Sequence, residues 1–181
     1  VGINASVFDY FLCTDVDCII EKDTLLKMIK PFMDEQNSTI KLIGKPCEEC
    51  GFQHIVEDHQ KVIATGATLR VANSCEIDEG VITRIRPPKK LIPRFQELEY
   101  IRSYVLGKMG WSMINCVPNI SGGLGLFDKD IAIKAGGYDH KSFAEDMDIM
   151  TRMCTYMIDN GKNMPLGTYP PHNAGQKGHQ T

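Results

Sequence analysis

Short apolar runs alternate with amphipathic helical segments along most of the 181 residues, and this alternation constrains the fold more than any other feature. Residues 10–13 form an apolar run with the length of a buried strand. Asp23 then precedes a helical pattern that Pro31 should limit. Three more segments have helical spacing, namely 94–114, 129–135 and 145–160. Strands that alternate with helices predict an α/β fold with a mostly parallel sheet flanked by helices.

The middle of the chain predicts a β-hairpin. Small and β-branched residues over 61–72 are typical of a strand, and the turn signal at 78–80 precedes a second strand that begins at Val81. We expect one domain over 1–162 with a cysteine-containing insertion at about 41–60, followed by an irregular tail over 163–181. Because Val1 lies just ahead of the first predicted strand, we expect a partial domain that lacks an earlier strand.

Composition narrows the class of protein. Hydrophobic residues make up 43% of the chain, which suffices for a real core, and the net charge of −3 offers no bulk attraction to nucleic acid or to an anionic membrane. No apolar run approaches the roughly 20 residues that span a bilayer. The seven cysteines are an odd number and predict free thiols. We therefore expect a cytoplasmic location, or the cytoplasmic face of a membrane as part of a longer protein.

Two aspartates follow the first predicted strand directly. Asp15 and Asp17 stand one residue apart, where the carboxyl ends of strands line the ligand crevice of an open α/β sheet. Paired carboxylates there can share Mg²⁺ or Mn²⁺ and so neutralise a bound diphosphate. The alternative is a solvated acidic loop without a ligand.

A second acidic pair opens the last predicted helix. The partial positive charge of a helix N-terminus favours ionised Glu145 and Asp146, so plain helix capping is one interpretation. The other is general base catalysis, in which Asp146 takes the proton of an attacking hydroxyl. A glycine-rich stretch at 121–125 and a short helix precede this pair, and that order favours the catalytic interpretation.

Three of these segments together resemble a known family. TDVD, SGGLGLFDKDIAIKAGGYD and AEDMDIMTRM are similar to motifs of the family 2 glycosyltransferases with a GT-A fold. The segments TLRVANSCEIDEG and RFQELEYIRSYVLGKMGW resemble the membrane-associated branch that includes cellulose, hyaluronan and poly-N-acetylglucosamine synthases. The resemblance covers most of residues 1–161.

The resemblance implies a Rossmann-like sheet and an inverting transfer from a nucleotide-diphosphate sugar, in the first place a UDP-sugar, to the hydroxyl of a glycan or lipid-linked acceptor. It makes Asp15 and Asp17 the ligands of the metal and the donor, and Asp146 the general base with Glu145 beside it. Three small residues would form the floor of the acceptor site: Ser121, Gly122 and Gly123. Trp111 would stack on the acceptor, although an aromatic on a helix is more often part of a core. Membrane association would come from regions outside this chain.

Other functions remain open at this stage. A metal-dependent nucleotidyltransferase or phosphohydrolase would also need paired carboxylates at a strand end, but not the glycine-rich segment and second acidic pair in this order. A non-catalytic module could bind a nucleotide sugar or a partner through the same fold. Cys47 and Cys50, with His54 and His59 behind them, are spaced more tightly than zinc fingers usually are, so exposed thiols are the favoured interpretation.

Overall fold

The computed structural model describes residues 2–34, 39–46, 53–59, 61–114, 116–160 and 165–168. For 39–46 and 53–59, and for 165–168 apart from Gly167, the description is of the backbone. The predicted Cys47 and Cys50 pair, and the predicted tail apart from 165–168, lie outside the described residues.

Five consecutive strands occupy the middle of the described chain, with a hairpin on each side of the fourth strand of the chain and helices before and after them. In chain order the elements are α1 (Gly2–Ala5), β1 (Tyr10–Thr14), α2 (Thr24–Asp34), β2 (Thr39–Pro46), β3 (Gln53–His59), β4 (Lys61–Gly66), β5 (Glu76–Asp78), β6 (Val81–Arg84), α3 (Leu91–Tyr100), a π-helix (Ile101–Lys108), α4 (Met109–Met113), β7 (Leu124–Asp128), α5 (Lys129–Lys134), α6 (Glu145–Asp159) and β8 (Pro165–Thr168).

The main sheet has four strands in the order β1-β7-β4-β8. Strand β7 runs antiparallel to both β1 and β4, and β8 is parallel to β4. The prediction of a mostly parallel, Rossmann-like sheet of the GT-A type is therefore wrong, because two of the three strand pairings are antiparallel. The cause is the place of β7: all five of its residues are buried, and it lies between β1 and β4 and runs antiparallel to both before it leads into α5, as the glycine-rich pattern suggested.

The core lies between this sheet and two helices. Met28 and Phe32 of α2 and a row of α6 side chains are buried against the strands, and the ring of Phe127 stacks on that of Phe11 with 5.3 Å between the centroids. The buried α6 residues are Ile149, Met150, Met153 and Met157. Each large apolar side chain buried in this way contributes roughly 1.5–3 kcal/mol. Packing of this kind fixes the start of α6 relative to the sheet.

Helix α2 continues past Pro31, where the sequence predicted that it would be limited. A proline inside a helix removes one backbone hydrogen bond. Burial of Phe32 immediately after it offsets that loss, since Phe32 is 5% exposed. The described helix therefore continues beyond Pro31 as far as Asp34.

The predicted hairpin turn is confirmed, but its first strand is shorter and lies later in the chain. Glu79 and Gly80 have φ values of 46° and 76°, and positive φ at both central residues is the signature of a tight hairpin turn. The strand that enters this turn is β5, which pairs with β6, whereas β4 ends at Gly66 and belongs to the main sheet. The segment 61–72 is thus not one strand.

The predicted insertion contains a second antiparallel hairpin, β2 with β3. Residues 165–168 of the predicted irregular tail form β8 at the edge of the main sheet. The predicted helices at 129–135 and 145–160 are confirmed to within one residue by α5 and α6. Among the described residues, no helix has both the length and the apolar character needed to cross a membrane.

Candidate functional site

The acidic loop after β1 is fastened to the glycine-rich segment before β7. Thr14 and Leu124 are partners in the strand register, so the loop and the segment emerge side by side. The carbonyl oxygen of Gly123 accepts hydrogen bonds from the Asp15 backbone N–H at 3.2 Å, from Thr14 Oγ1 at 3.2 Å and from Cys18 Sγ at 3.3 Å. The pairing of β1 with β7 therefore places Asp15 beside Gly123, one of the residues that the family resemblance assigns to the acceptor site.

Asp15, Asp17 and Cys18 form the cluster in the described chain that could hold a metal ion, with one ligand atom of each within 4.8 Å of the others. Burial raises the pKa of the Cys18 thiol, and the charges of Asp15 and Asp17 raise it further, whereas a hydrogen bond with Thr14 lowers it. Sulfur is also a soft ligand, which Mg²⁺ and Mn²⁺ bind less readily than oxygen. The two carboxylates that remain suit a hard cation such as Mg²⁺ or Mn²⁺, which prefers oxygen.

Glu145 and Asp146 begin α6, as predicted, but their surroundings differ. Asp146 is partly buried, and its Oδ2 accepts a hydrogen bond of 2.8 Å from the Asn119 side chain, while its Oδ1 accepts one of 2.9 Å from the Met147 N–H. Glu145 is exposed. Of the two, Asp146 therefore has the fixed carboxylate that a general base requires.

Gly122 and Gly123 separate the two acidic groups. A Cβ placed on Gly123 would lie 3.2 Å from Asp15 Oδ2, and one placed on Gly122 would lie 4.0 Å from Glu145 Oε1. Consecutive glycines are thus bordered by one carboxylate from each acidic pair. Ser121 is buried and its Oγ is 2.8 Å from the hydroxyl of Tyr104. Gly122 therefore leaves the backbone open to close approach by a ligand, whereas the space beside Gly123 is filled by Leu69 and Asp15.

A long helix covers this site from one side. The predicted helix at 94–114 runs from Leu91 to Met113, but its middle eight residues are a π-helix, in which the Met109 N–H bonds to the carbonyl of Tyr104. Such i→i+5 bonding is rare in proteins, and where it occurs it often lies at a functional site. The rings of Tyr100 and Tyr104 make an edge contact at 5.8 Å, and Lys108 Nζ lies 4.7 Å from the centre of the Tyr104 ring.

Trp111 lies on α4, directly after this π-helix, and is half exposed. It lines a shallow pocket of about 470 Å³ together with Lys108 and Asn119. Asn119 therefore contacts both this pocket and the carboxylate of Asp146, to which it donates a hydrogen bond. The alternative that Trp111 is a core residue does not fit its exposure.

Lys108 is a charged group that the sequence analysis missed. Burial lowers the pKa of Lys108 to about 8, although the charges of Asp146 and Glu99 act in the opposite direction. Burial also raises the pKa of Tyr104 to about 12, so its hydroxyl keeps its proton. Lys108 is thus the titratable neighbour of Asp146 in the neutral to alkaline range.

Replacing Lys108 with methionine should change how stability depends on pH. Between pH 8 and the usual lysine pKa of 10.5, the unfolded chain holds a proton that the folded chain has released. Raising the pH through this window therefore favours folding of the wild type relative to Lys108→Met, by at most about 1.4 kcal/mol per pH unit. Urea unfolding of both proteins across the window measures the difference, in which the titration of cysteines and tyrosines largely cancels. A difference that does not vary with pH would contradict the low pKa.

Asn119, Tyr104 and Lys108 complete the site. Tyr104 and Lys108 lie in the segment RFQELEYIRSYVLGKMGW, in which the sequence analysis assigned a role only to Trp111. These three residues could have been found only through their neighbours in the sequence, since Asn119 precedes the glycine-rich segment by two residues. The side chain of His140 is 88% exposed, and its Nδ1 lies 3.9 Å from Asp139 Oδ1. The five cysteines with described side chains carry free thiols.

No protein-family model matches the chain, and no curated protein matches it. The resemblance of its motifs to family 2 glycosyltransferases therefore stays a prediction, and the site must be interpreted from its own geometry.

Proposed function

We propose that this chain is an inverting glycosyltransferase that moves a sugar from a nucleotide-diphosphate donor, in the first place a UDP-sugar, to an acceptor hydroxyl. One observation carries the proposal. Two acidic pairs that lie about 130 residues apart in the sequence border the consecutive glycines 122 and 123. One pair can serve a metal ion and the other can accept a proton, which are the two tasks that such a transfer needs.

In this proposal Asp15 and Asp17 hold Mg²⁺ or Mn²⁺. Cys18 is given no role, because these cations prefer oxygen ligands to sulfur. When bound, the cation neutralises the diphosphate and makes it a better leaving group. Gly123 lets the loop that carries Asp15 pack closely against the glycine-rich segment, since a Cβ there would lie 2.8 Å from Leu69 Cδ1 and 3.2 Å from Asp15 Oδ2.

Asp146 acts as the general base on the other side of the glycines. It takes the proton of the acceptor hydroxyl while the hydroxyl oxygen forms a bond to the anomeric carbon and the bond to the diphosphate breaks. A single displacement of this kind inverts the configuration of that carbon. Asn119 positions the carboxylate, and Trp111 offers an aromatic face for the acceptor sugar.

Calorimetric titration with UDP and several UDP-sugars, with and without Mn²⁺, tests the proposal. We expect binding that requires the metal and that weakens by at least about tenfold in Asp15→Ala and Asp17→Ala. Asp130→Ala is the matched control, since Asp130 is also an exposed carboxylate but pairs with Lys134 on α5.

The products separate this function from its alternatives. Release of UDP with transfer of the sugar supports a glycosyltransferase, whereas release of UMP means cleavage inside the diphosphate and a nucleotidyltransferase or phosphohydrolase. No binding of any nucleotide sugar would leave a non-catalytic module and overturn the proposal.

A further inference from the structure

An apolar stripe runs along the outer face of α3. Leu91, Phe95 and Leu98 recur at helical spacing and are between 63% and 65% exposed, and Ile92 beside them is 81% exposed. The same face borders a groove of about 450 Å³ that begins at Pro87 and Pro88. An apolar surface of this continuity marks a site of interaction rather than a random exposed residue.

Glu97, which also lines this groove, links α3 to the segment after β4. Glu97 accepts a hydrogen bond of 2.9 Å from the Val71 N–H and forms an ion pair with Arg70. Further along, Tyr104 points to Ser121 in the candidate site. The stripe therefore faces away from the core and from the carboxylates.

Basic residues surround the stripe. Residues 84–108 contain seven lysines and arginines and two glutamates, a net charge of +5 in a chain whose net charge is −3. Of the two glutamates, Glu97 is neutralised by Arg70, and Glu99 is exposed. The exposed basic residues of the segment are Arg84, Lys89, Lys90, Arg94 and Arg102. The acidic residues of the neighbouring hairpin lie at its far turn, apart from Glu76, which pairs with Arg86.

We propose that this surface, defined as Leu91, Ile92, Phe95 and Leu98 with Lys89, Lys90, Arg94 and Arg102 around them, docks on an anionic lipid surface. We name it the α3 surface. An amphipathic helix with bulky apolar residues on one side and lysines and arginines at its borders lies in the plane of a bilayer interface. Basic side chains attract anionic headgroups, and the attraction falls off within a Debye length. This inference concerns only the described residues of this chain and does not depend on the proposed enzymatic activity.

Co-sedimentation of the whole chain with vesicles tests the proposal without any nucleotide sugar. The vesicles are phosphatidylcholine alone, or phosphatidylcholine mixed with phosphatidylserine, at low salt and at about 1 M salt. We expect the chain to bind the mixed vesicles at low salt. Binding to phosphatidylcholine alone, and binding to the mixed vesicles at high salt, should each be at least about tenfold weaker.

Two double variants locate the contact. Phe95→Ser with Leu98→Ser should weaken binding by about tenfold or more. Phe143→Ser with Ile158→Ser removes apolar side chains that are 104% and 67% exposed on other parts of the chain and should leave binding unchanged. Far-UV circular dichroism checks that both variants fold.

Three results would overturn the proposal. The first is no binding of the chain to either kind of vesicle. The second is an equal loss of vesicle binding in both double variants. The third is self-association of the free chain that the Phe95 and Leu98 substitutions abolish, since a second copy would then cover the α3 surface.

Discussion

Asp146→Asn should lower the turnover number of the proposed transfer by about 10²–10⁴-fold while donor binding stays within a few-fold of wild type. Asparagine keeps the shape of the side chain, and its carbonyl oxygen can still accept the hydrogen bond that Asn119 donates at 2.8 Å. What is lost is the ability to take a proton from the acceptor. The rate of UDP release, with the UDP-sugar that binds best in calorimetry, measures the change.

Glu145→Gln is the matched control, because Glu145 precedes Asp146 in the same helical turn. Glu145 is exposed, and within the described part of the chain no side chain holds its carboxylate in the way that Asn119 holds Asp146. We expect its turnover number to fall only a few-fold. If Glu145→Gln loses more activity than Asp146→Asn, the base is Glu145 and the role assigned to Asp146 is wrong.

Local elements of this fold could be predicted where the sequence pattern and the burial agree. The strand at 10–13, the helices that begin at Thr24, Lys129 and Glu145, and the hairpin turn at Glu79 all follow from apolar spacing and turn residues. Each of these signals acts within a few residues, so no distant partner can override it.

Strand direction could not be predicted in the same way. The prediction of a parallel sheet assumed that all of its strands run in the same direction. Strand β7 instead lies between β1 and β4 and runs antiparallel to both. Its sequence LGLFD reads equally well as the end of a glycine-rich loop. Only the packing of Phe127 against Phe11 shows that the run is a central strand.

The candidate site divides along the same line. Asp15, Asp17, Glu145 and Asp146 could be selected because each lies at the end of a predicted element. Asn119, Tyr104 and Lys108 could not, since they reach the site only through tertiary contacts and a π-helix that residue spacing does not predict. The sequence therefore predicted the carboxylates of the site, and the structure added the residues around them, Lys108 included.

The second large effect should come from Gly123→Ala, which we expect to weaken Mn²⁺-dependent UDP binding by about tenfold or more and to destabilise the fold by about 1–3 kcal/mol. The added Cβ would lie 2.8 Å from Leu69 Cδ1 and 3.2 Å from Asp15 Oδ2. Leu69 is 2% exposed and has little room to move. The strain therefore falls on the loop that carries Asp15, which three hydrogen bonds tie to the Gly123 carbonyl.

Gly122→Ala provides the comparison, since the neighbouring glycine has open space. Its added Cβ would meet only Glu145 Oε1, at 4.0 Å, which is an ordinary contact. We expect stability within about 0.5 kcal/mol of wild type and unchanged metal-dependent UDP binding. Urea unfolding and calorimetry on both variants measure the two quantities separately. If both variants bind UDP as wild type does, the metal ligands are not positioned through Gly123; if both lose binding equally, close packing against Asp15 is not the cause.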